Sequence, residues 1–104
     1  MNKAREIAER LKHPSIRITE DSAFTCGTYC GERKFNPYEN WNDCGMVLEA
    51  LYSECFKKGI QLDFIERDSY KYAISLTDDN GIRCFWSNNF REVVCNAFLS
   101  MEVL

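Results

Sequence analysis

Six cysteines and one histidine are the side chains best equipped for chemistry in this 104-residue chain. Cys26 and Cys30 stand in a Cys-x3-Cys arrangement made of two Cys-Gly steps around Thr28-Tyr29, and two thiolates on one loop are half of a structural zinc site. The second half is missing, because no other pair has ligand spacing. Cys44 and Cys55 are eleven residues apart on one helical pattern, which sets them roughly 16 Å from each other. Cys84 and Cys95 have the same separation. These four read as small buried apolar side chains, whereas Cys26 and Cys30 are kept as candidate zinc ligands, with free loop thiols or a disulfide as the alternatives.

His13 lies at an expected helix end beside Pro14, where a cation suits the helix dipole and no thiol is local to it. Glu20-Asp21 and Asp78-Asp79 fall in turn-like stretches, where carboxylates commonly serve local hydrogen bonds. No glycine-rich phosphate loop, nucleophile elbow or metalloprotease motif is present. An enzyme is therefore not expected, and no cofactor other than zinc is suggested.

The elements that must position these residues follow from the apolar periods. Ala4, Ile7, Ala8 and Leu11 recur at helical spacing over about residues 2–13, and His13-Pro14 ends that helix. Ile16 and Ile18 alternate with polar neighbours as a short strand through about Glu20, and a Cys-bearing loop or hairpin turn follows. The next helix spans about 41–58: Asn40 caps it, Asp43 suits its positive end, and Cys44, Val47, Leu48, Leu51, Tyr52 and Cys55 make one stripe. Gly59 stops it.

From Ile60 the period drops to two. Ile60, Leu62 and Phe64, then Tyr70, Tyr72, Ile74 and Leu76, then Ile82, Cys84 and Trp86 are expected to share the core face of an antiparallel meander over 60–87. Asp78-Asp79-Asn80-Gly81 is its tight turn. Ile65, Ala73 and Phe85 fall on the reverse face, beneath the N-terminal helix or another chain. Ser87 or Asn88 caps a last helix over about 88–101, lined by Phe90, Val93, Val94, Ala97, Phe98 and Met101; Asn89 and Glu92 also have capping-box spacing. The expected fold is α+β, a three- to four-stranded antiparallel sheet packed with amphipathic helices. The chain reads as one domain, with residues 1–35 added to a core of 36–104.

Net charge is −3, unevenly placed. The first 17 residues are basic through Lys3, Arg5, Arg10, Lys12 and Arg17, while the rest is acidic. An acidic body disfavours nucleic acid as the direct partner, since phosphate neutralisation dominates that affinity. No apolar run reaches the roughly 20 residues of a membrane span, and the charged first helix is unlike a signal peptide. The expected compartment is a reducing cytoplasm, and the chain is expected to be a monomer or homodimer. Tyr29 and Tyr38, aromatic residues in a polar loop, together with Arg33, Glu20 and Asp21, are the candidate partner-binding residues.

Pro37-x3-Trp41, the run Cys44-Gly45-Met46-Val47-Leu48-Glu49 and the stretch from Arg91 to Leu99 resemble the small phage and prophage proteins of the phage ABA sandwich domain family, over about residues 36–102. That resemblance implies a phage-encoded accessory protein acting in the host cytoplasm by binding a host or phage protein, including as an inhibitor of host defence of the anti-CRISPR kind. It transfers no catalytic residue. Two other readings stay open: a nucleic-acid-binding accessory using the basic first helix, and a zinc- or redox-responsive regulator built on Cys26 and Cys30.

Overall fold

The computed structural model describes residues 2–27, 31–65 and 72–101, with Cys26 and Gly27 described by backbone alone. Among them the elements run α1 (Lys3–Leu11), β1 (Ile16–Ile18), β2 (Ala23–Gly27), β3 (Gly31–Lys34), α2 (Trp41–Lys58), β4 (Gln61–Ile65), β5 (Tyr72–Asp78), β6 (Gly81–Ser87) and α3 (Phe90–Leu99). The fold is α+β. Its strands form two three-stranded antiparallel sheets, β1-β2-β3 and β4-β5-β6, where one sheet of three or four strands was expected.

The second sheet is the expected meander. The first goes beyond the expectation: β2 and β3 form an antiparallel pair in the stretch read as a loop or hairpin turn, in agreement with the hairpin alternative, but neither strand was expected. Gly27 pairs with Gly31 across the hairpin, and the exposed, mostly polar Gly-Glu-Arg-Lys of β3 has no apolar alternation to announce it.

Local chemistry sets the helix ends. Asn40 Oδ1 accepts from the backbone N–H groups of Asn42 and Asp43 at 2.9 and 3.1 Å, and Gly59 closes α2 at φ 68°, a left-handed value that glycine adopts without steric strain. Asn89, rather than Ser87 or Asn88, caps α3 by accepting from Arg91 N. Ser87 is still in the sheet, paired with Tyr72, and its hydroxyl accepts from Asn89 N instead.

In the meander the alternation is as expected but the phase of β6 is reversed. Asp78 pairs with Gly81 around a two-residue turn, so Leu76 faces Arg83, Ile74 faces Phe85, and Ala73 faces Trp86. Directly paired residues share a face. Phe85 therefore lies on the core side with Ile74 and Leu76, and Ile82, Cys84 and Trp86 point outward, Ile82 being 67% and Trp86 44% exposed. A period of two leaves the phase open, and the length of the turn decides it.

Over the core face α3 packs on β5 and β6, and α2 packs on β4. On the far side of this helix pair α1 contacts α2, α3, β1 and β2 but no strand of the meander, so the expected cover of the reverse face by α1 is absent among the described residues. A continuous core joins Ile7, Ala8 and Ala23 to Val47, Leu51, Ile74, Leu76, Val94 and Phe98. No helix among the described residues is long and apolar enough to cross a membrane.

A buried ion pair joins β3 to the start of α2. The Asp43 carboxylate, at zero exposure, takes a bidentate pair from the Arg33 guanidinium at 2.7 Å for each arm, and Asn36 N donates to its Oδ2 at 2.8 Å. It sits in the first turn of α2, where the helix dipole adds to its stabilisation. Removing one partner of such a pair leaves a buried charge without compensation. Arg33→Ala is expected to destabilise the fold by about 3–5 kcal/mol, and Arg33→Lys by less, measured as the shift in the urea unfolding midpoint at unchanged slope.

Candidate functional site

Trp41 opens α2 and Phe90 opens α3, and the sheet brings Phe64 of β4 and Tyr72 of β5 to the same end of the molecule. Phe90 is the hub of this group. Its ring lies 6.0 Å from Trp41, 6.0 Å from Phe64 and 5.7 Å from Tyr72, the last edge-on. Tyr52 of α2 extends the line by its contact with Phe64 at 6.1 Å. These separations fall in the 4.5–7 Å range of favourable ring pairs. The Arg91 guanidinium lies 4.5 Å above the Trp41 ring while its Nε donates to the Tyr38 carbonyl at 2.9 Å, which holds the loop before α2 against the start of α3.

The rings touch one another yet remain open to solvent. Trp41 is 61% exposed, and Tyr52 and Phe64 are each about half exposed. Farther along α2, Phe56 is 90% exposed. The cause lies in α2 itself. Cys44, Val47, Leu51 and Cys55 are buried, and Trp41, Leu48, Tyr52 and Phe56 form a second stripe beside them, offset by well under a third of a turn. The resulting apolar arc exceeds the roughly 100° that one core contact requires. Leu48 and Tyr52, expected in the buried stripe, belong to this outer one: Leu48 is half-buried and Tyr52 exposed.

The residues singled out from sequence lie elsewhere. Arg33 is engaged with Asp43 and Asn40. Tyr38 turns its ring towards the core, and its buried hydroxyl has no hydrogen-bond partner among the described residues. Burial, with smaller contributions from Cys95, Glu92 and Glu6, pushes that phenol up to about 12. Glu20 and Asp21 are exposed in the bend between β1 and β2. They border a shallow depression of roughly 390 Å³ with Asn2, Arg5, Glu6 and Glu9. Tyr29 and Cys30 lie outside the described residues. Cys26 pairs by backbone with Glu32, and its side chain is likewise outside them. The aromatic surface was thus missed as a site, although the 41, 48, 52, 56 spacing on α2 was available to signal it.

The basic N-terminus is largely consumed within the molecule. Arg10 Nη1 donates to the carbonyls of Leu99, the last residue of α3, and of Met101 just beyond it, both at 2.9 Å. Arg5 Nε donates to the Thr19 carbonyl at 2.7 Å, and its guanidinium pairs with Glu9. Arg17 pairs with Glu32 through two hydrogen bonds and lies over the Phe24 ring.

No family model matches this chain, and no curated protein matches it in sequence. Among solved structures, the 2.0 Å crystal structure of a phage protein from Bacillus cereus ATCC 14579 matches with a TM-score of 0.49 at 14% sequence identity, over 96% of this chain and 86% of that one.

Cys44, Cys55 and Cys95 are buried as expected, and Cys84 is exposed on the outer sheet face. Burial raises all three enclosed thiols, Cys95 up to about 12, with Cys44 and Glu92 adding to it. Between the ordinary thiol value of 9.0 and this folded value, the unfolded chain binds fewer protons than the folded one, so stability falls with rising pH. Thermal unfolding is expected to show a plateau below pH 9 and a progressive loss above it, shallower in Cys95→Ala. Peptide-resolved alkylation of the native protein is expected to modify Cys84 well before Cys44, Cys55 or Cys95.

Proposed function

We propose that this chain is a phage-encoded accessory protein that acts by binding another protein through the aromatic surface at the starts of α2 and α3, without catalysis or a cofactor. The observation that carries the reading is a set of large rings in mutual contact that remain open to solvent. Aromatic side chains of this kind are enriched among interface hot spots, and those packed against each other lose little freedom on binding. The phage context rests on the sequence resemblance over residues 36–102.

Within this class the specific proposal is a target in the host cytoplasm that belongs to a defence complex. Exposed Glu20 and Asp21, on a protein of net charge −3, suit a basic groove of the kind that holds nucleic acid, and they would steer the encounter more than strengthen it. Direct nucleic-acid binding by the N-terminal helix is less well supported. Arg5 and Arg10 of the helix, and Arg17 of β1, three of the five basic residues among the first 17, are held by carbonyls and carboxylates of the same chain.

Affinity capture from infected host cells, followed by calorimetry on the purified partner, tests the reading. Trp41→Ala and Phe64→Ala are expected to weaken binding by roughly 30-fold or more, the loss of a hot-spot side chain, with the circular dichroism spectrum unchanged. Glu20→Ala with Asp21→Ala is expected to slow association and reduce its salt dependence. Full affinity in both aromatic variants would sink the proposal.

A further inference from the structure

The aromatic surface lies in a field of one sign. From residue 41 to residue 56, α2 carries three carboxylates, Asp43, Glu49 and Glu54, and no lysine or arginine. Two of the three are matched within the chain: Asp43 is buried against Arg33, and Glu54 stands within 4.0 Å of both Lys57 and Lys58. Glu49 is exposed, and its carboxylate pairs with no described residue. The same is true of Glu39, exposed two residues before Trp41. Glu49 precedes Tyr52 by three residues, so the two side chains are neighbours on the helix surface.

We infer that the partner segment covering this surface combines an apolar anchor with an arginine. The anchor rests on the Trp41, Phe90 and Phe64 rings, and the guanidinium lies on the Tyr52 ring and forks onto the Glu49 carboxylate. This rests on the aromatic surface being the binding site and adds the chemistry of what binds there.

Charge complementarity is the first reason. A cation approaching the Tyr52 end meets a carboxylate with no partner of its own, on a chain of net charge −3, so the local pair and the wider field both favour it. A phosphate backbone meets the same carboxylate as repulsion. A second copy brings its own −3 and its own Glu39 and Glu49 to the contact, which opposes association. Arg91 sets one positive charge beside Trp41, which directs an incoming cation away from that ring and towards Glu49.

The preference for arginine is the second reason, and the chain displays both halves of the contact. Arg91 lies 4.5 Å above the Trp41 ring while its Nε donates to the Tyr38 carbonyl. Arg33 forks onto the Asp43 carboxylate at 2.7 Å for each arm. A planar guanidinium can stack on a ring and still offer two parallel donors to a carboxylate, whereas the ammonium of lysine is a compact point charge without that fork. Tyr52 and Glu49, one helical turn apart, present a ring and a carboxylate side by side. Trp41 at 61% and Phe64 at 46% exposure keep apolar area open for the anchor.

Selection of short peptides from a library of random sequence against the full chain, with calorimetry on those recovered, tests the inference. The recovered peptides are expected to carry arginine close to an apolar residue and to bind more weakly as salt rises. Affinity is expected to fall at least about tenfold with Glu49→Gln in the protein, or with lysine in place of the peptide arginine. The unfolding temperature of Glu49→Gln is expected to be unchanged, because that side chain is exposed and unpaired. Glu49→Gln is expected to cost nothing further against a peptide whose arginine is already glutamine. Peptides without a cation that need Trp41 but tolerate Glu49→Gln overturn the inference and leave the aromatic reading standing. Arginine peptides that keep full affinity in Trp41→Ala overturn both. A library that yields no peptide dependent on Glu49 overturns the inference as well.

Discussion

The buried Asp43 carboxylate is the constraint around which the rest of this protein is arranged. An ion withdrawn from water carries a penalty of several kcal/mol unless its lone pairs are met, and here the two arms of Arg33, the Asn36 N–H and the first turn of α2 meet them. Each of those partners comes from a different part of the path. Arg33 belongs to β3, Asn36 to the connection, and Asp43 to the helix, so the requirement fixes how the small sheet, the connection and α2 join. Phe35, between Arg33 and Asn36, is buried as a consequence. The direction of α2 follows, and with it the position of Trp41 at its exposed entrance.

A second set of polar contacts ties the start of the chain to its end. Arg10 donates to carbonyls at the terminus of α3, where the helix leaves its last C=O groups without internal partners. Arg5 holds Thr19 in the same manner. These arginines are structural donors, which changes what the charge distribution means. A chain whose first 17 residues look like a basic arm presents a surface whose positive charge is already partly neutralised, and its acidic remainder dominates what a partner meets.

Among the described residues two apolar surfaces remain after the core is satisfied, for two different reasons. The aromatic one exists because the apolar arc of α2 is wider than the combined reach of β4 and α3. The outer sheet face exists because a three-stranded meander has two sides and both amphipathic helices occupy the same one. Both surfaces leave apolar area in water that only a covering partner would remove. They lie on opposite sides of β4.

Much of this was legible in the residues. Asn40 and Gly59 bound α2, the Asp-Asn-Gly turn joins β5 to β6, and the helix and strand periods are where they were expected, because each depends on neighbours within about four positions along the chain. The failures share a different cause. β3 lacks apolar alternation, so the first sheet was invisible until β2 provided a partner for it. The inward phase of β6 turned on a two-residue turn that swaps even positions for odd. Arg33, read as a contact for a partner, is claimed by a carboxylate ten residues away, and Tyr38 by the core. The sequence alone determined which segments are helix or strand and which residues could be apolar anchors. Only the tertiary structure decided which anchors stay uncovered, because exposure depends on what other segments can reach, and that is not a local property of the chain.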